Sequence, residues 1–349
     1  MTLSIASSTV PNLYSSDRIG SLSTKAIKSL SSSQMALLDT AQIVALTSAQ
    51  IAAIDSKDMT ALSSTQIAAF TTDQAAGFTA PELNAMLSQV QYLQSGVISN
   101  LGTSAIASLT TKAMGYISAS QINALTSTQL AVLSSTQLAG LSTSNITSLA
   151  TDDIALLSSL QIAGLGTAQL NALGTEKIAA ISSTTIAGLS TKQIVALTVA
   201  NAQALGSTQI AGLSSTQLSK LSASALDSFS TDEISALTTA QIAGLSAKQI
   251  FGMSTANVDA LTTAQITALS STQIAGFTTA NVGALSSDEI TALTSVQIAG
   301  FGTATLNAIS TATLAAMSSS AIAGLSTKQI YSLSTANVAA LTSSQLAIL

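Results

Sequence analysis

The chain has 349 residues, no cysteine, no histidine, a formal net charge of −5 and only 7% charged residues. That excludes disulfides, thiol chemistry, zinc–thiolate centres and histidine-dependent triads, and with ten Lys and Arg residues there is no basic stripe to hold nucleic acid. Apolar residues make up 47%, enough for a core, but the surface must be covered by hydroxyls and amides rather than ions.

Residues 1–13 stand outside the pattern that dominates the rest. They lack a basic n-region and a long apolar h-region, so they do not form a Sec signal peptide. Thr2-Leu3-Ser4-Ile5 alternates like a strand, and Val10-Pro11 enforces an extended turn. Two readings stand: a disordered or cap-like terminus, or an arm in which Thr2, Leu3, Ser4 and Ile5 dock on another subunit.

Residues 14–85 repeat in octads. A fixed short period marks a solenoid. In Leu269–Gly276, Leu-Ser-Ser-Thr-Gln-Ile-Ala-Gly, position 1 is large and apolar, position 2 is a hydroxyl, position 5 is Gln and position 6 is again apolar. Positions 2 and 5 spell a capping box, and positions 1 and 6 a hydrophobic staple, in one frame. The octad therefore predicts a helix of about five or six residues followed by a corner, too short to persist unless stacked on its copies. A β-solenoid is the alternative, since Ser, Thr, Ile and Val suit strands. Against it, apolar spacings of 5 and 3 put positions 1 and 6 on opposite faces of a strand.

The frame breaks once. From Thr79 the apolar residues Leu83, Met86, Leu87, Val90 and Leu93 fall on one helical face. Thr79 and Glu82 form a capping box and Gly96 is placed as a C-terminal stop, which predicts one longer helix over residues 80–95. From Met86 to Leu101 the chain is one residue short of two octads. The interruption reads as an insertion absorbed at the surface, or as a contact face, hinge or junction between rods.

Octads resume over residues 101–349. Glycine recurs at position 8 of every third octad, at Gly140, Gly164, Gly188 and Gly212 and again at Gly252, Gly276, Gly300 and Gly324. This predicts three octads per superhelical turn, with glycine allowing a tighter corner or a closer backbone approach. Acidic pairs begin helices at Asp152, Asp232 and Asp288, where the helix dipole favours them. At three octads per turn they fall on different sides of the coil, which argues against one calcium cluster. Lys192, Lys248 and Lys328 share their octad position, and Lys and Asp alternate at intervals of five octads. Parallel rods offset by five octads would set Lys against Asp and fix their stagger. The final residue, Leu349, opens a new octad, so residues Leu341 to Leu349 present an unfinished repeat that calls for cover.

The octads L-[ST]-[ST]-x-Q-[IL]-x-[AG] resemble low-complexity repeats of large bacterial secreted and surface proteins of the adhesin type. The resemblance covers residues 14–85 and 101–349 and carries no functional residues across. It implies a bacterial, extracellular, structural protein exported by a route other than Sec.

The fold class expected is all-α, a solenoid of very short helices with one per octad and about three octads per turn. Hydroxyls without an activating base are not nucleophiles, no phosphate loop appears, and no apolar run reaches a membrane span. The expectation is a non-enzyme without cofactors, whose partner is itself: a homopolymer forming an extracellular filament, sheath or surface layer through head-to-tail and lateral contacts. The alternatives are an adhesin stalk or binding module working as single rods, and an ice-binding face of ordered Ser and Thr; cell-surface polysaccharide is a further candidate partner.

Overall fold

The computed structural model describes residues 15–349, so Thr2, Leu3, Ser4 and Ile5 of the expected arm lie outside the described residues. Every element within them is a short helix, and no strand occurs among them. The α-helices are four to seven residues long, one per octad, and the all-α solenoid replaces the β alternative. Two compact units divide the chain, Met1–Leu173 and Gly174–Leu349.

The octad beginning at Leu269 shows why each helix starts where it does. Ser270 is the N-cap of helix Ser271–Ile274: its hydroxyl accepts from the Gln273 N–H at 3.3 Å, and Gln273 Oε1 accepts from the Ser270 N–H at 2.8 Å. The capping box thus forms with the expected partners. Leu269 and Ile274, at positions 1 and 6, are both buried. The same holds along the chain before its last turn, so the core is two apolar columns per octad, mostly Leu at position 1 and Ile at position 6.

Within each unit the helices pack on the third one along. In the first unit Ser16–Gly20 meets Thr40–Ala45 and Ser135–Ala139 meets Ser159–Gly164; in the second Ser183–Ile186 meets Ser207–Gly212. One superhelical turn is therefore three octads, as the glycine spacing indicates. The glycines act through close approach rather than through a special corner conformation. Among the described residues the positive-φ glycine is Gly174, at 73°, the first residue of the second unit. At the corners an added Cβ would lie 2.4 Å from the Ser271 carbonyl oxygen at Gly300, 2.5 Å from that of Ala247 at Gly276, and 2.2 Å from that of Ser295 at Gly324. The corner of one turn rests on the first residue of the helix one turn below.

The interruption is not one long helix. An α-helix spans Ala80–Met86, a 3-10 helix spans Leu87–Tyr92, and they break at Leu87, with φ 45° and ψ −112°. Gly96 does not stop a helix; it lies inside Ser95–Ser99. Nor is the segment a surface excursion. Ala80–Met86 packs on Ser56–Met59, Leu87–Tyr92 on Ser64–Ala68, and Ser95–Ser99 on the 3-10 helix Thr72–Gly77, the ordinary neighbours one turn back. Met86–Tyr92 is a repeat with one residue missing. A 3-10 helix rises about 2.0 Å per residue against about 1.5 Å for an α-helix, so a repeat one residue short can span the place of a full octad. The missing residue is accommodated at Leu87, in a backbone region that L residues rarely adopt. The segment lies inside the first unit, and its Thr79 N–H does donate to Glu82 Oε2, at 3.1 Å, as the sequence suggests.

The glycine contacts generate a paired prediction. Gly300→Ala should destabilise the coil by about 1–3 kcal/mol, since its Cβ meets backbone that cannot yield. Gly283→Ala, in mid-helix with open space around it, should be neutral or stabilising by up to about 1 kcal/mol. Thermal unfolding of the two variants beside the parent chain checks both signs.

Candidate functional site

The feature that recurs from turn to turn is the carboxamide at octad position 5. Sequence reasoning assigned it one task, reaching back to its own N-cap, and the structure gives it a second. Gln273 Nε2 donates to the carbonyl oxygens of Ile242 at 2.9 Å and Leu245 at 2.8 Å, one turn below. The Ile242 carbonyl, in the last turn of the lower helix, also accepts from the Leu245 N–H at 3.1 Å, while the Leu245 carbonyl, just past the helix end, takes the carboxamide as its donor. The same pair of sequence spacings recurs at Gln121, Gln129, Gln137, Gln209, Gln249 and Gln345. These side chains are almost fully buried, so each carboxamide caps one helix and closes the one beneath it inside the core.

The shortened repeat keeps the ladder. Gln89 Nε2 donates to the Leu62 carbonyl at 2.7 Å, and the Val90 carbonyl accepts from Gln121 at 2.9 Å. Gln89 and Val90 thus hold positions 5 and 6 of an octad short of one residue.

Asn at position 5 is one methylene too short to reach both carbonyls. The Asn257 amide spans the difference by donating to Asp227 Oδ1 and the Asp227 carbonyl, each at 3.0 Å, and Asn337 donates to Asn307 Oδ1 at 3.2 Å. Both helpers stand at position 7 of an octad one turn below. The signal was present in the sequence. In residues 101–349, position 7 is Asn or Asp at Asn123, Asn171, Asp227, Asp259 and Asn307. At the same interval after them stand Asp153, Asn201, Asn257, Glu289 and Asn337, never Gln.

Of the residues expected to direct assembly, Asp152 lies in helix Thr151–Ala155 of the first unit. The second unit has three stacks of helices. The first contains Thr191–Ala196 with Lys192 and Ser287–Thr291 with Asp288; the second contains Thr231–Ala236 with Asp232 and Thr327–Tyr331 with Lys328; the third contains Ala247–Phe251 with Lys248. All five side chains are exposed, and Lys248 faces a different side from the other two lysines. Leu341 is buried, so it offers nothing to a partner, whereas Leu349 is exposed. Val338 and Leu346 were missed. They hold position 6, a core position in earlier turns, yet are 44% and 50% exposed because no later turn covers them.

Among the described residues no group of three His, Cys, Asp or Glu could hold a metal, and no helix is long and apolar enough to cross a membrane. A shallow groove of about 490 Å³ beside Pro81 is lined by Ala, Ser, Thr and Phe residues with Asn100, and contains no titratable side chain. The Lys28–Asp55 ion pair, at 3.8 Å, is solvent-exposed and contributes little.

The ALTTAQ repeat family matches residues 15–48, 51–88, 146–183, 239–271, 267–295 and 298–335, more than half of the chain. The chain belongs to that family. Its six letters stand unaltered at Ala236–Gln241 and Ala260–Gln265, and the structure gives each a place. In Ala260–Gln265 they are the corner, the buried Leu261, the cap Thr262, two residues of the first turn and the carboxamide Gln265, which donates to Ile234 and Leu237 one turn below. Octads outside the matched segments build the same ALTTAQ helix, as at Ser127–Ala131 and Ser135–Ala139. No curated protein matches the chain.

Two predictions come from the ladder. Gln273→Ala strands the buried Leu245 carbonyl, takes a second donor from the Ile242 carbonyl and opens the capping box, so it should cost about 2–4 kcal/mol, more than Ser270→Ala at about 1 kcal/mol. Native-state hydrogen exchange around Ile242–Leu245 reads the difference. Glu289 accepts from the Ser286 N–H at 2.7 Å. An ionised carboxylate, however, has no donor for the Val258 and Leu261 carbonyls, which hold the places that Ile242 and Leu245 hold below Gln273. Glu289→Gln should supply one and stabilise the second unit by about 1 kcal/mol, seen as a raised unfolding midpoint.

Proposed function

We propose that the chain is a non-enzymatic structural solenoid that assembles with copies of itself, end to end, outside a bacterial cell, as a filament, sheath or surface layer. The observation that carries this is the self-complementarity of the turn. Within a unit a turn offers carbonyls and apolar position-6 residues to the next, and carboxamide donors to the one before, in the same frame. Any turn is thus a template for any other. Val338 and Leu346 are exposed position-6 residues, and a turn stacked on them would bury them as later turns bury Ile298 and Leu314. The contact is heterologous and does not close on itself, the geometry that propagates as a fibre.

Electron microscopy of the purified chain tests the proposal. Linear particles longer than one chain, lengthening with concentration, are expected. In Val338→Asp/Leu346→Asp, both at exposed positions, end-to-end growth should fall by about tenfold or more while the helical circular dichroism stays unchanged, because a carboxylate would have to be buried at the joint. Isolated particles of one fixed length at every concentration would instead support a stalk or binding module acting as single molecules.

A further inference from the structure

The three stacks of the second unit sort its exposed charges in a way that the linear order hides. On the first stack and the corner that follows one of its helices stand Lys192, Lys220 and Asp288. On the second stack stand Asp232, Asp259 and Lys328. All six are exposed, and none is within ion-pair distance of an opposite charge among the described residues. Along the coil the first face reads plus, plus, minus, and the second reads minus, minus, plus. Lys192 precedes Asp232 by five octads, Asp288 precedes Lys328 by the same interval, and Lys220 precedes Asp259 by one residue less. Each face is the charge inverse of the other at one common offset. The carboxylates next in sequence, Glu233 beside Asp232 and Glu289 beside Asp288, carry the sign of their neighbours and leave the match intact.

A face and its inverse on the same molecule cannot satisfy each other, but two molecules can. We infer that the second unit carries a heterologous lateral interface with a second copy of this chain. The first-stack face of one copy lies against the second-stack face of a parallel copy displaced by five octads, bringing Lys192 to Asp232, Lys220 to Asp259 and Asp288 to Lys328. This rests on the proposal that the chain assembles with itself, and adds which faces meet and at what stagger. An offset of five octads is one and two-thirds turns, which is why the partner of a charge on one stack lies on another stack rather than its own. Shifting by a whole turn, three octads, removes all three pairings at once, so the charges act as a register key. In a chain with only 7% charged residues such a key stands out against a nearly neutral background. Lys248, on the third stack, takes no part.

Inverting one face at a time gives the test. One variant of the full chain carries Lys192→Glu, Lys220→Glu and Asp288→Lys; the other carries Asp232→Lys, Asp259→Lys and Lys328→Glu. Each alone presents two like-charged faces, and at low salt its lateral association, read by sedimentation and by particle width, should weaken by about tenfold or more. Mixed in equal amounts, the two variants present complementary faces again and should associate as the parent does, with the effect fading as salt rises. Circular dichroism verifies that both remain folded. Parent-like lateral association by either variant alone, or failure of the mixture to recover, would overturn the interface while particle length still reports end-to-end growth. A parent chain that forms no assembly of any kind, in length or in width, overturns the self-assembly proposal and this interface together.

Discussion

A buried carboxamide that serves two helices at once is the interaction on which the rest of this structure depends. Helices of four to seven residues cannot hold themselves, because nearly all of their backbone groups are terminal. The coil meets this by making the ends of one helix the business of another. Gln273 Oε1 accepts at the start of its own helix while Nε2 donates to the end of the helix below. Few other side chains have an acceptor and a pair of donors far enough from the backbone to do both. Position 5 is accordingly buried although it is polar, and the hydroxyl at position 2 and the apolar residues at positions 1 and 6 are arranged around it.

The same dependence explains how the coil tolerates irregularity. Where Asn257 and Asn337 replace Gln, a carboxylate or a second amide from the turn below completes the reach, from Asp227 and Asn307. Where one residue is missing, at Met86–Tyr92, the helix stretches into 3-10 form and the strain collects at Leu87, while Gln89 and Val90 keep their places in the ladder. Local backbone geometry gives way before the contact between turns does. That ordering is expected of a solenoid, whose stability is a sum of weak repeats and the interfaces between neighbours.

What faces water follows from what the ladder consumes. With the polar group of position 5 turned inward, the outside of the coil is left to Ser, Thr and Ala, and each exposed charge becomes a landmark. Three stacks then divide those landmarks into faces. Lys192 and Asp288 share one side, Asp232 and Lys328 another, although the sequence presents them as a single alternation.

The sequence by itself determined the period, the capping box, the staple and three octads per turn, because each is a local rule repeated in frame, or a glycine spacing that only a three-octad turn explains. Even the pairing of Asn257 and Asn337 with Asp227 and Asn307 one turn before could be read from it. Tertiary structure alone decided where the second half of each carboxamide goes, since a donor so far along the chain from its acceptor, as Gln273 is from Ile242, has no local signature. It also decided the fate of residues 80–95: the apolar spacing there fits one helical face, but the need to stay in step with Ser56–Met59 and Ser64–Ala68 breaks that helix in two. Similarly Leu341 is covered and Val338 is not, because the first is packed within its own turn and the second waits on the next. Local chemistry fixed what each repeat is; only the stacking of turns fixed what each repeat touches.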